Sequence, residues 1–175
     1  RVSVTDLCNY RCLYCMPPAG VEQLPHSEIL SFEEIRSVVE AAIPLGINKL
    51  RLTGGEPLVR KGVPQLVEML ANLPGLKEVY LTTNGSLLER FALELKKSGL
   101  TRVNVSMDSL RPDRYREITR GGDLAKVWKG IEAARDAGFT PIKLNVVVIK
   151  EINEDEIGDF AALTLEHPFE VRFIE

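Results

Sequence analysis

Apolar residues along this chain follow two rhythms. Short stretches with every second position apolar lie near 2–5, 48–53, 78–82, 102–106, 142–149 and 170–174 and predict six β-strands. Longer stretches with apolar residues three and four apart fill the gaps and predict helices. Ser31-Phe-Glu-Glu34 reads as a capping box, and Ile35, Val38, Val39, Ala42 and Ile43 follow at helical spacing. Ser86-Leu-Leu-Glu89 reads as a second box, with Gly99 as the stop. Asn153-Glu-Asp-Glu156 predicts another helix start. Helices are also predicted over 123–137, before Gly138, and over 63–72, before Pro74-Gly75.

Strand, helix, strand repeated in this way implies parallel strands joined by right-handed crossovers. Six such strands suit an open doubly wound sheet or a curved, barrel-like one. Strand parity favours the second. Leu50 and Leu52 share one face of their strand, and Arg51 and Thr53 the other. Val2 and Val4 oppose Arg1, Ser3 and Thr5. Val103 and Val105 oppose Asn104 and Ser106, while Ile142 and Leu144 oppose Lys143 and Asn145. A doubly wound sheet is covered on both faces and is apolar on both. Here only one face is apolar. The other is polar and partly cationic, which implies an open cavity for something anionic.

Composition narrows the class. The chain has 175 residues, 45% hydrophobic and 27% charged, which suits one domain. The net charge of -3 gives no support to a nucleic-acid surface. No apolar run approaches the roughly 20 residues of a membrane-spanning helix. The first residue is Arg1 and the last, Glu175, closely follows an apolar run, so the chain reads as a piece of a longer protein.

All three cysteines, Cys8, Cys12 and Cys15, lie within eight residues, on the loop after the first strand. Three cannot pair off, and their closeness on one loop argues against a disulfide framework. Retained thiols imply a reducing, cytoplasmic setting. A structural zinc site would want a fourth ligand. His26 is the nearest candidate, and Pro17, Pro18 and Pro25 make its approach awkward. A four-iron cluster on three thiolates would leave one iron free to bind a substrate or cofactor.

The spacing Cys8-x-x-x-Cys12-x-x-Cys15 resembles the signature of the radical S-adenosylmethionine (SAM) enzymes. In that superfamily the amino and carboxylate groups of SAM chelate the open iron. The reduced cluster then cleaves the sulfonium to a 5′-deoxyadenosyl radical. Tyr14, before the last cysteine, matches the residue that contacts the adenine. Thr53-Gly-Gly-Glu-Pro57 resembles the motif that binds the SAM amino group. The chemistry agrees: glycines let a ligand approach the backbone, and Glu56 can accept from an ammonium. There is no GxGxxG loop, so a nicotinamide cofactor has no support.

Seven blocks in order carry a closer resemblance: Arg1-Val-Ser-Val-Thr-Asp-Leu-Cys8, Tyr14-Cys-Met-Pro17, Arg51-Leu-Thr-Gly-Gly-Glu-Pro-Leu58, Leu81-Thr-Thr-Asn-Gly85, Asn104-Val-Ser-Met-Asp108, Lys143-Leu-Asn-Val-Val147 and Arg172-Phe-Ile-Glu175. Together they resemble the GTP 3′,8-cyclase family of molybdenum cofactor biosynthesis. The resemblance implies an α/β fold, a partial (β/α)6 TIM-like barrel, with residues 1–175 as the radical SAM core domain. It implies that Cys8, Cys12 and Cys15 hold a [4Fe-4S] cluster. Tyr14, Gly55 and Ser106 would contact SAM, with Glu56 beside them. Arg1, Arg51, Thr82 and Lys143 would contact GTP.

The implied reaction is that of a lyase. The adenosyl radical removes hydrogen from C3′ of the GTP ribose, and the carbon radical attacks C8 of guanine. The family's second three-cysteine cluster and basic C-terminal segment would lie beyond Glu175, so this stretch alone is expected to bind the first cluster and to cyclise GTP poorly. The resemblance names GTP and a cluster reductant as partners and allows a homodimer. No residue stands out as a general acid or base. The competing expectations are a radical SAM enzyme acting on a peptide or tRNA, and a non-enzymatic zinc-bound scaffold. Arg111, Arg114, Arg116 and Arg120 read as solvated surface and Trp128 as packing, and His26 and His167 receive no role.

Overall fold

The computed structural model describes residues 1–174, apart from the side chain of His26. Six strands form one sheet: β1 (Val2–Ser3), β2 (Lys49–Thr53), β3 (Glu78–Thr83), β4 (Arg102–Ser106), β5 (Ile142–Val147) and β6 (Phe169–Ile174). They are all parallel and lie in chain order, so β1 and β6 are the two edges of an unclosed sheet. Each connection crosses the same face. The helices are α1 (Phe32–Ala42), α2 (Val63–Ala71), α3 (Leu88–Lys97), α4 (Pro112–Thr119), α5 (Leu124–Asp136) and α6 (Ile157–Glu166). This is the partial (β/α)6 architecture.

The parity argument holds in three dimensions. Leu52, Leu81, Val103, Val105 and Leu144 are fully buried and share a core with Leu66, Val67, Leu88, Leu95 and Val127 from the helices. Each such burial stabilises by about 1.5–3 kcal/mol before chain entropy is counted. The opposite face carries rows of polar residues in register. Arg51 pairs with Tyr80, and Tyr80 with Arg102. Thr82, Asn104, Lys143 and Glu170 form one row, and Ser106, Asn145 and Arg172 the next.

Local start signals fare unevenly. The Ser31 box forms: its hydroxyl accepts from Glu34 N at 3.1 Å, and the Glu34 carboxylate accepts from Ser31 N at 2.7 Å. The Ser86 box does not form. Asn84 captures that serine instead, its Oδ1 accepting from both the Ser86 amide and hydroxyl, and α3 starts without a side-chain cap. Asn153 stands at the start of a helical turn as expected, but its side chain makes no capping bond. A short 3-10 turn, Glu154–Glu156, precedes α6. Asn153 instead accepts from Ile149 N and donates to the Asp108 and Val147 carbonyls. Helix α4 has no counterpart among the predicted helices.

Candidate functional site

The loop after β1 carries the three thiols across the C-terminal edge of the sheet. Cys12 O accepts from the amides of Cys15 at 3.0 Å and Met16 at 3.1 Å, which folds the loop back on itself. The Tyr10 amide donates to Cys8 Sγ at 3.4 Å. All three cysteines are free of disulfides, with Cys8 and Cys12 half-buried and Cys15 exposed. Burial pushes the Cys8 thiol up. Burial, with the Asp108 charge second, pushes Cys12 up to about 12. Without a cationic centre both therefore stay protonated at neutral pH.

Among the described residues, no three His, Cys, Asp or Glu side chains are drawn together closely enough to hold a single metal ion. The structure assembles the loop rather than a closed coordination sphere. The donor set, three soft thiols on one turn, fits an iron–sulfur cluster. The fourth ligand of a zinc reading, the His26 side chain, lies outside the described residues.

The Gly54-Gly55 pair runs beside this loop. Gly55 N donates to Thr5 O and Glu56 N to Leu7 O, both at 2.8 Å. A Cβ on Gly54 would sit 2.4 Å from Thr5 O, and one on Gly55 2.2 Å from Leu7 O. The glycines are thus required first by the cysteine loop, which lies against them just before Cys8.

Glu56 is buried. Its carboxylate accepts from Leu58 N at 3.0 Å, Thr83 Oγ1 at 2.7 Å and Asn84 N at 2.6 Å, using three of its roughly four acceptor positions. Burial raises its pKa against the pull of those donors. Ser106 lies at the C-terminal end of β4, opposite Asn145.

Tyr14 keeps an exposed ring but a held hydroxyl, which donates to Asp108 Oδ2 at 2.6 Å. Asp108 is buried, and its Oδ1 accepts from Val147 N at 2.8 Å. One carboxylate therefore joins the cysteine loop to the ends of β4 and β5. The sequence alone points to no role for Asp108.

Most of the cations, Arg1, Lys49, Arg51 and Arg102, lie toward the N-terminal half of the polar face, and Arg172 lies nearer its C-terminal edge. Arg51 Nε is buried with no hydrogen-bond partner among the described residues. Burial first, and then the charges of Arg1 and Arg172, lower the Arg51 pKa. The three arginines therefore face one space, and Arg1, Lys49, Arg51 and Tyr80 line a cavity of about 260 Å³ there. Lys143 is 4% exposed and bonded to Glu170, which also accepts from Arg172 at 2.6 Å and 3.0 Å. Thr82 Oγ1 lies at the 3.5 Å limit of a bond from Asn104 Nδ2, and Asn104 Oδ1 is buried without a partner among the described residues. All four cation-face expectations, Arg1, Arg51, Thr82 and Lys143, fall on this face. Arg172 and Glu170 join them.

The arginines read as solvated surface are mostly engaged. Arg111 and Arg114 pair with Asp155, and Arg114 also with the fully buried Glu156. Arg120 reaches the cysteine loop. Trp128 packs beside Phe169 as expected, with ring centroids 6.4 Å apart.

Known proteins match this arrangement. The chain is 57% identical to the GTP 3′,8-cyclase of Alkaliphilus metalliredigens and 58% identical to that of Pelotomaculum thermopropionicum, in both cases over all 175 residues. It covers 55% and 54% of those proteins, so it spans about half their length. Among solved structures, Streptococcus suis SuiB bound to S-adenosylmethionine superposes with a TM-score of 0.80 at 17% identity, covering 99% of this chain and 40% of that one. An anSMEcpe structure with bound AdoMet gives 0.73 at 20% identity, covering 98% and 47%. These two likenesses concern the fold alone. The family model of the Radical SAM superfamily matches residues 2–164, and the chain therefore belongs to that superfamily.

Proposed function

We propose that this chain is the radical SAM part of a GTP 3′,8-cyclase of molybdenum cofactor biosynthesis, a lyase that forms (8S)-3′,8-cyclo-7,8-dihydroguanosine 5′-triphosphate. The carrying observation is Arg51, whose Nε is buried with no hydrogen-bond partner among the described residues and whose guanidinium feels the charges of Arg1 and Arg172. Among the described residues Arg172 is paired with Glu170, while Arg1 and Arg51 have no carboxylate partner. Like charges repel one another, and a triphosphate relieves that repulsion. The identity to curated cyclases supports the same reading.

Cys8, Cys12 and Cys15 would hold a [4Fe-4S] cluster, and Tyr14, Gly55, Glu56 and Ser106 would line the place of SAM at the same sheet edge. When bound, the cluster and SAM supply reductive sulfonium cleavage and hydrogen abstraction at C3′ of the nucleotide, with electrons from an external reductant. The protein's own contribution is positional. Arg1 and Arg51 grip the phosphates near the N-terminal ends of the strands, and Arg172, from the row of Ser106, adds its charge from the side of Glu170. Lys143 and Thr82, in the middle rows, lie between the Arg1 and Arg51 pair and the cysteine loop. The ribose is thereby directed toward the C-terminal edge.

The test is anaerobic reconstitution, followed by EPR of the dithionite-reduced chain with and without SAM and by equilibrium binding of GTP against guanosine. The expected result is a four-iron signal that changes with SAM, and tighter binding of GTP than of guanosine. A signal indifferent to SAM, or equal affinity for GTP and guanosine, overturns the reading.

A further inference from the structure

Two arginines hold the cysteine loop from behind by its carbonyls. Arg11 Nη1 donates to Cys8 O at 2.7 Å and to Tyr10 O at 2.9 Å. Arg120 Nη1 donates to Arg11 O at 2.9 Å and to Met16 O at 2.7 Å. Arg11 precedes Cys12 and Met16 follows Cys15, so Arg120 spans the turn that carries both thiols. Among the described residues, neither arginine pairs with a carboxylate.

Helix α4 brings Arg120 there. Its terminal carbonyls of Ile118 and Thr119 accept from the loop amides of Leu13 at 2.9 Å and Arg11 at 3.2 Å. The loop thus satisfies acceptors that a helix end leaves open. Arg120 itself ends the helix with φ +52°. A helix C-terminus carries partial negative charge, and a cluster on three thiolates carries more. Bringing the two together is unfavourable without a cation between them.

We propose that Arg11 and Arg120 form a cationic brace that fixes the shape of the cysteine loop and raises the reduction potential of the cluster it holds. The inference rests on the cluster reading of Cys8, Cys12 and Cys15. Reduction adds a negative charge to the cluster, and a nearby cation favours the reduced state. In each arginine one Nη1, held in a rigid guanidinium plane, donates to two carbonyls, whereas an ammonium is a point charge on a flexible stem. Charge and geometry can therefore be separated.

The experiment compares wild type, Arg120→Gln and Arg120→Lys after anaerobic reconstitution. Three quantities are read: iron and sulfide per chain, midpoint potential by EPR-monitored titration, and the rate of iron loss to a chelator. All three residues are non-glycine, so the cost of the positive φ at position 120 stays similar. Arg120→Gln is expected to have a more negative midpoint and to lose iron several-fold faster. Arg120→Lys is expected to recover the midpoint but not the retention. The midpoint difference should shrink at high salt, because Arg120 is exposed and screening reaches it. Should Arg120→Gln fail to load a cluster, Arg11→Gln and Arg11→Lys supply the same comparison at the second arginine. A midpoint and iron-loss rate in the glutamine variant equal to wild type overturn the brace. A wild-type chain that takes up no four-iron cluster overturns the cluster reading itself, and the brace with it.

Discussion

The phenol of Tyr14 donates to the carboxylate of Asp108 across 2.6 Å, although the two are 94 residues apart in the chain. Asp108 also accepts from Val147 N. The pair fastens the cysteine loop to the ends of β4 and β5. A hydrogen bond to a charged acceptor contributes about 1.5–3 kcal/mol net. A double-mutant cycle of Tyr14→Phe and Asp108→Asn, followed by denaturant unfolding of the metal-free chain, should therefore show a coupling of that order. Asp108→Asn alone should also reduce iron incorporation on reconstitution. Additive effects of the two substitutions would show that the contact does not hold the loop.

Two glycines give opposite expectations for the same substitution. A Cβ at Gly55 would meet the Leu7 carbonyl oxygen at 2.2 Å, and backbone cannot step aside as a side chain can. Gly55→Ala should cost about 1–3 kcal/mol and displace the loop just before Cys8, so that cluster loading falls further than stability does. Gly158, in the first turn of α6, has open space around its missing Cβ. Gly158→Ala should stabilise the chain by about 0.5–1 kcal/mol and leave cluster loading unchanged. Thermal unfolding and iron analysis of both variants check the contrast. Full loading in Gly55→Ala would remove the proposed reason for that glycine.

What the sequence made legible was set by period-two parity and short-range spacing. Parity placed Arg51, Ser106 and Lys143 on one face because alternation along a strand survives any curvature of the sheet. The Ser31 cap was legible because both partners lie within four residues. The same pattern failed at Ser86, where Asn84 competes for the hydroxyl two residues away. Helix α4 escaped notice because it is short and polar, with only Tyr115, Ile118 and Thr119 buried. With it went the role of Arg120, whose acceptors are carbonyls more than a hundred residues back. Asp108, Glu170 and Arg172 gained their roles only when β4, β5 and β6 came into register across their intervening helices.

Glu170 stands where an anionic ligand would compete. It accepts from Lys143 and Arg172, and the Lys143 bond, with Arg172 second, holds its carboxyl below the ordinary range. A carboxyl lowered in the folded state contributes stability above its unfolded pKa, and that stability is lost as pH falls through the folded value. The nucleotide-free wild type should therefore lose stability below about pH 4.5 more steeply than Glu170→Gln does. Near neutral pH the variant should be less stable, because Lys143 loses its carboxylate. Glu170 is 40% exposed at its side chain, which holds that loss near about 1 kcal/mol. With Lys143 and Arg172 released, GTP should bind more tightly to the variant than to wild type. Parallel acid unfolding curves, or weaker GTP binding by the variant, would count against this competition.

Arg51 should show the opposite balance between stability and binding. Its Nε is buried without a partner among the described residues, and the charges of Arg1 and Arg172 act against it. An arrangement of this kind is disfavoured in the empty protein and favoured once a polyanion arrives. Arg51→Met keeps much of the apolar stem and removes both the orphaned donor and the repulsion. The nucleotide-free variant should gain about 1 kcal/mol, seen as a rise of about 2–4 °C in Tm for a chain of this length. GTP affinity should fall by about tenfold or more, the loss of one charge-assisted contact. Guanosine, which has no phosphate to grip, should bind equally well to both forms. Calorimetry with the two ligands and thermal unfolding without either provide the three readings. A variant that lost stability and GTP affinity together would show that Arg51 supports the fold rather than waiting for a phosphate.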